Sequence, residues 1–159
     1  MSKESLFNIL NNHYHFQDLS VLDLFAGTGN ISYEFASRGA THIVAVDQDF
    51  GCIRFIRQTT AEFDFDITAI KSNCFEFLEK SRESFDVIFA DPPYDMDEAK
   101  FKRIVDLVFL NDLLNEGGML IIEHSKHTKM DEVKNLTFQK HYGASVFSFF
   151  EKETKKEAE

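Results

Sequence analysis

Phe85-Asp86-Val87-Ile88-Phe89-Ala90-Asp91-Pro92-Pro93-Tyr94 is the stretch on which the fold turns. Its first six residues are short and apolar enough to read as a buried parallel strand, and the two prolines then forbid both a longer ladder and direct entry into a helix. The strand has to stop at Ala90. That leaves a stiff platform at its carboxyl end, with a carboxylate before the prolines and an aromatic ring after them. In open α/β sheets this end of a strand is where ligands bind. A carboxylate, a rigid backbone and a ring are the parts needed to hold a flat, amine-bearing molecule; a D-P-P-x run alone would serve equally well as a proline-terminated strand with a solvated acid.

Upstream, Ser20-Val21-Leu22-Asp23-Leu24-Phe25-Ala26 predicts a first strand that runs into Gly27-Thr28-Gly29-Asn30 and then a helical pattern through Ile31, Phe35 and Ala36 to Arg38-Gly39. Glycines between strand and helix let the backbone approach a ligand, and the helix start offers free N–H groups. A second strand, Thr41 to Val46, ends in Asp47-Gln48-Asp49. Asp47 follows Gly27 by about 20 residues, the spacing at which an acid reaches a ribose diol in nucleoside-binding folds. Asp49 reads as a helix cap. A full dinucleotide fingerprint would need Gly or Ala where Ser32 stands, which weighs against a nicotinamide enzyme. A nucleoside carrying a short charged group fits better, and S-adenosylmethionine (AdoMet) is such a ligand.

The remaining elements alternate. A short opening helix spans Ser5 to Leu10; a helix from Phe50 to Thr60 leads to a strand Asp66 to Ser72 and a short helix Phe75 to Leu78; Phe101 to Val108 repeat as a helix face. A turn at Glu116-Gly117-Gly118 precedes a fifth strand, Met119 to His124, and Leu136–Tyr142 with Ala144–Phe150 form a hairpin about Gly143. The predicted fold is therefore α/β, a Rossmann-like, doubly wound and mostly parallel sheet with a C-terminal antiparallel hairpin. One domain over residues 1–150 is expected, followed by a charged, frayed tail at 151–159.

Composition sets limits. The 159 residues include 18 Phe and no Trp, so flat rings fill the core. Cys52 and Cys74 have no partner at metal-ligand spacing and read as reduced thiols. The acids Asp95, Asp97 and Glu98 read as helix-start charges; no metal is expected. No signal-peptide core or membrane-length apolar stretch is present, so a cytoplasmic protein is predicted, with a monomer favoured. A net charge of −10 argues against a broad nucleic-acid footprint and leaves only a local cluster, for which Lys126-His127-Thr128-Lys129 is the candidate.

Val21 to Gly29 resembles motif I of class I AdoMet-dependent methyltransferases, and Asp91-Pro92-Pro93-Tyr94 resembles the (D/N)PP(Y/F) motif of those that methylate exocyclic or amide nitrogens. Lys3 to Leu10, Ser37-Arg38-Gly39-Ala40 and Ile122-Glu123-His124 are similar to the RsmD family of small-subunit ribosomal RNA guanine-N2 methyltransferases. Members of that family usually begin with an extra basic segment, which this sequence does not carry ahead of Ser2. That difference points to a shortened form or to a relative with another substrate.

The resemblance implies a cofactor site for AdoMet made of Asp23, Phe25, Ala26, Gly27, Gly29, Asp47, Gln48, Asn73, Cys74 and Asp91, and a catalytic set of Asp91, Pro92, Pro93 and Tyr94. It implies RNA methylation in rRNA processing, with ribosomal RNA or the small subunit as partner. DNA adenine N6, a protein amide, or AdoMet binding without turnover are the competing readings.

Overall fold

A computed structural model describes residues 2–152. The chain divides into two compact units, the first ending at Cys74 and the second beginning at Phe75.

The first unit opens with α1 (Ser2–Asn11), followed by β1 (Ser20–Leu24), α2 (Asn30–Ser37), β2 (His42–Asp47), α3 (Phe50–Phe63) and β3 (Ile67–Lys71). Its three strands are parallel, ordered β3-β2-β1, with Leu24 level with Val46 and Asp47 level with Lys71. From Val21 to Leu24 and from Ile43 to Val46 every residue is buried, as expected of strands covered on both faces. β1 stops at Leu24, two residues short of the sequence expectation, because Phe25 takes φ +58°, a left-handed conformation that cannot continue a ladder. α3 runs past Thr60 to Phe63, and Asp64 at φ +55° terminates it. Under α1 lies an aromatic cluster in which Phe7 meets Phe35 edge-on at 4.7 Å, while the Arg38 guanidinium sits 4.9 Å from the Phe7 ring centre.

The second unit contains the bulk of α4 (Cys74–Lys80), then β4 (Phe85–Ala90), α5 (Glu98–Leu110), β5 (Leu114–Ser125), β6 (Leu136–Tyr142) and β7 (Ser145–Glu151). The strand order is β4-β5-β7-β6; β4 and β5 are parallel, and the predicted hairpin adds β7 and β6 antiparallel. The expected turn at Glu116-Gly117-Gly118 is instead a bulge inside β5. Phe85 pairs with Leu114 and Val87 with Met119, so the intervening residues loop out of register. Gly118 is required there: a Cβ would stand 2.8 Å from the Asp86 carbonyl oxygen and 2.9 Å from that of Asn115. β4 ends at Ala90 as the prolines dictate. Of the expected tail, Glu151 closes β7, Lys152 donates to the Leu114 carbonyl at 3.0 Å, and residues 153–159 lie outside the described residues. Among the described residues no helix is long and apolar enough to cross a membrane.

Candidate functional site

In the first unit the carboxyl ends of all three parallel strands carry the residues expected to hold a cofactor. The turn after β1 is pinned from two sides. The Ala26 N–H donates to the Val46 carbonyl at 3.0 Å, and the Gly27 N–H donates to Asp47 Oδ2 at 2.9 Å. Asp47 Oδ1 accepts the Asp49 N–H at 2.8 Å. Each oxygen of Asp47 therefore carries one backbone donor and keeps lone-pair capacity for a hydroxyl. The Ser72 N–H donates to the Asp47 carbonyl, which holds the start of the Asn73-Cys74 segment beside the end of β2.

Gly27 lies at φ +58°, and a Cβ there would meet no atom within 4 Å, so open space borders the turn. Gln48 and Asn73 are exposed; Phe25 and Ala26 are half-buried. Cys74 is buried, and burial pushes its thiol up to about 12, so it stays a neutral thiol at physiological pH. A strand-end acid with spare lone pairs, an open glycine turn and an exposed amide suit a nucleoside with a charged appendage.

Asp23 is placed differently from the others. It is 1% exposed, and the buried Ser32 hydroxyl donates to its Oδ2 at 2.7 Å. The acid thus ties β1 to the first turn of α2. Ser32, which breaks the dinucleotide fingerprint, supplies that bond, and Asp49 caps α3 by accepting the Cys52 N–H at 2.9 Å. Larger hollows of about 290 and 400 Å³ adjoin Lys3 and Glu34, but no residue expected in the site lines either.

In the second unit Asp91, Pro92 and Tyr94 line a hollow of about 220 Å³ at the ends of β4 and β5. Pro92 is buried, Pro93 is exposed, and Tyr94 is 84% exposed, its ring free to meet a planar partner. Asp91 is exposed at the rim, and the protein packed around its carboxyl desolvates it in part and raises it above the ordinary range. Across the same hollow stand Glu123, His124 and Ser145. Glu123 is pushed up to about 7, first by desolvation and then by the charge of Asp91.

The sequence expectation did not include Glu123 in the site. The signal was available, since Glu123 comes after the apolar run of β5 in the way that Asp91 comes after β4. Lys126, His127 and Lys129 are exposed and follow the lining residue Ser125; the Lys129 N–H donates to Glu98 at 2.8 Å, which fixes that loop to the start of α5. Among the described residues no group of three or more His, Cys, Asp or Glu is arranged to hold a metal ion.

Comparison with known proteins adds an independent line. The family model described as conserved hypothetical protein 95 matches residues 1–151. A candidate rRNA methyltransferase of Bacillus subtilis, YlbH, is 30% identical over 158 residues, covering 94% of this chain and 84% of the relative. Ribosomal RNA small subunit methyltransferase D of Haemophilus influenzae is 26% identical, covering 92% of this chain and 77% of that protein. Among solved structures, a candidate methylase from Haemophilus influenzae superposes with a TM-score of 0.79 at 25% identity, covering 94% of both chains.

Proposed function

We propose, from the premise that this chain belongs to the RsmD family of methyltransferases, that it transfers a methyl group from AdoMet to an exocyclic amino group of a base in ribosomal RNA, guanine N2 being the preferred acceptor. The observation that carries the reading is the proline clamp, in which Asp91, Pro92 and an exposed Tyr94 border one small hollow with acceptor groups on its walls.

In this reading the turn from Phe25 to Gly29 admits the methionine portion of the cofactor with Asp23 beneath it. Asp47 and Gln48 take the ribose side. Asn73, through its carbonyl oxygen, accepts from the adenine amine beside the Cys74 backbone. When bound, AdoMet supplies an electrophilic methyl group on a positively charged sulfur.

A base amine is a poor nucleophile because its lone pair is delocalised into the ring. Asp91 and the Pro92 carbonyl accept the amine hydrogens, turn the lone pair out of conjugation and stabilise the positive charge that develops on nitrogen. The rigidity of Pro92-Pro93 keeps those acceptors in place while Tyr94 stacks on the base. After the N–C bond forms, one amine proton leaves to Asp91 or to water. A base paired inside a helix must first be extruded, which favours unpaired targets. Lys126 and Lys129 serve as the phosphate-contacting rim.

The test is transfer of labelled methyl from AdoMet to unmodified small-subunit RNA, assembled subunits and DNA. Asp91→Ala is expected to lower transfer at least about a hundredfold, the scale of losing a positioned charge-stabilising acceptor, with AdoMet affinity nearly unchanged. A D91A protein that methylates at the wild-type rate would remove Asp91 from this role, and transfer to DNA alone would reassign the substrate.

A further inference from the structure

The hollow at the ends of β4 and β5 holds two carboxyl groups, and among the described residues no lysine or arginine lines it. Asp91 comes from the proline clamp, Glu123 from the carboxyl end of β5, and Ser145 at the start of β7 donates its hydroxyl to Glu123. Both are held above their ordinary range by desolvation, and the charge of Asp91 adds to the effect at Glu123.

His124 does not supply the missing cation. Its Nδ1 stands 2.8 Å from the Ser125 carbonyl and so must donate, which leaves Nε2 to accept from the Ser148 hydroxyl at 2.7 Å. Gln139 donates in turn to Ser148 at 2.8 Å, and burial lowers the imidazole pKa, so the ring is neutral. What satisfies two neighbouring acceptors is a ligand edge carrying neighbouring N–H donors.

We propose that Glu123 is the residue that reads the base, its carboxylate accepting the N1–H of a guanine whose N2 amine is held by Asp91. Adenine sets an N1 lone pair beside its amine, so an ionised Glu123 would face another acceptor, uncompensated. The inference rests on the amino-methyltransferase reading and gives it a physical reason to prefer guanine.

Two otherwise guanine-free oligoribonucleotides test it, one carrying a single guanine and the other 2-aminopurine at the same position. Both present a 2-amino group to Asp91, but only guanine has an N1–H. The ratio of kcat/KM on the two acceptors, read from labelled methyl transfer, cancels the titration of Asp91; 2-aminopurine also lacks the 6-oxo group, so Glu123 is read from the change of the ratio with pH and on substitution. The other ionisable groups lining the hollow are Tyr94 and His124; Phe101 from α5 and Ser145 from β7 do not titrate.

The wild-type protein is expected to prefer guanine by about tenfold or more at pH 8, the factor carried by one charge-assisted hydrogen bond. The preference should shrink at pH 6, where a protonated Glu123 can donate to N1 of 2-aminopurine. Glu123→Gln, whose amide can also donate to that nitrogen, should lower the ratio and make it the same at both pH values, with AdoMet binding reporting that the variant is folded. A ratio unchanged in E123Q, or independent of pH in the wild type, would overturn the role of Glu123 and leave the methyltransferase reading standing. No transfer to either oligonucleotide, to whole small-subunit RNA, to assembled subunits or to DNA, by a protein that binds AdoMet, would bring down both.

Discussion

Single side chains in this protein are set by their surroundings more than by their type. Asp23, Asp47 and Asp91 all sit at or just beyond strand ends. The first is sealed against Ser32, the second bridges two backbone N–H groups, and the third borders a hollow. Glu123 carries a cost that can be measured on folding itself. Its pKa is raised to about 7 from an ordinary 4.5, so between those values the folded chain holds a proton that the unfolded chain has released. Stability contributed by this group is complete below pH 4.5 and is lost as pH rises through 7. Replacing it with Gln removes the ionisation, so the melting temperature of E123Q relative to wild type should rise between pH 5 and pH 8. Thermal melts at the two pH values check this, and a difference that falls with pH would contradict the assignment of the raised group.

At the scale of elements, the bulge in β5 is the feature that pattern reading misses. Gly117 and Gly118 look like a turn, yet Phe85 already pairs with Leu114 on their amino-terminal side. The Asn115 side chain bonds Asp86 and Ser84, which holds the extra residues against the start of β4. The two glycines have different duties. Gly117 takes φ +80° with open space around it, so Gly117→Ala should cost only about 1 kcal/mol of backbone strain. Gly118 has no such φ, but backbone carbonyls crowd its Cβ position and cannot swing aside. Gly118→Ala should therefore be the more destabilising of the pair, by roughly 2–3 kcal/mol in denaturant unfolding. An equal loss at the two positions would mean that the bulge can relax.

For the whole molecule, a net charge of −10 limits how much of any RNA affinity can come from phosphate neutralisation. If Lys126 and Lys129 are the principal phosphate contacts, binding of small-subunit RNA should depend only shallowly on salt. The double substitution Lys126→Ala, Lys129→Ala should then lower the slope of log affinity against log salt by about 2 and leave the guanine preference intact. A steep slope that survives the double substitution would place the phosphate contacts elsewhere. The residues also differ in how far sequence could announce them. The β4 boundary, the glycine turn and the capping role of Asp49 were legible because prolines, glycines and caps act within a few residues of themselves.

By itself, then, the sequence determined the alternation of strand and helix, the parallel core and the place where β4 must end, since periodicity and chain-stiffening residues are local properties. Only the tertiary structure decided that β5 begins at Leu114, that Ser32 serves Asp23, and that Glu123 shares a hollow with Asp91. The first and third depend on the pairing of β4 with β5, which joins groups about thirty residues apart, and the second on how α2 folds back against β1. The charge state of a carboxyl group follows from that company, which no count along the chain can supply.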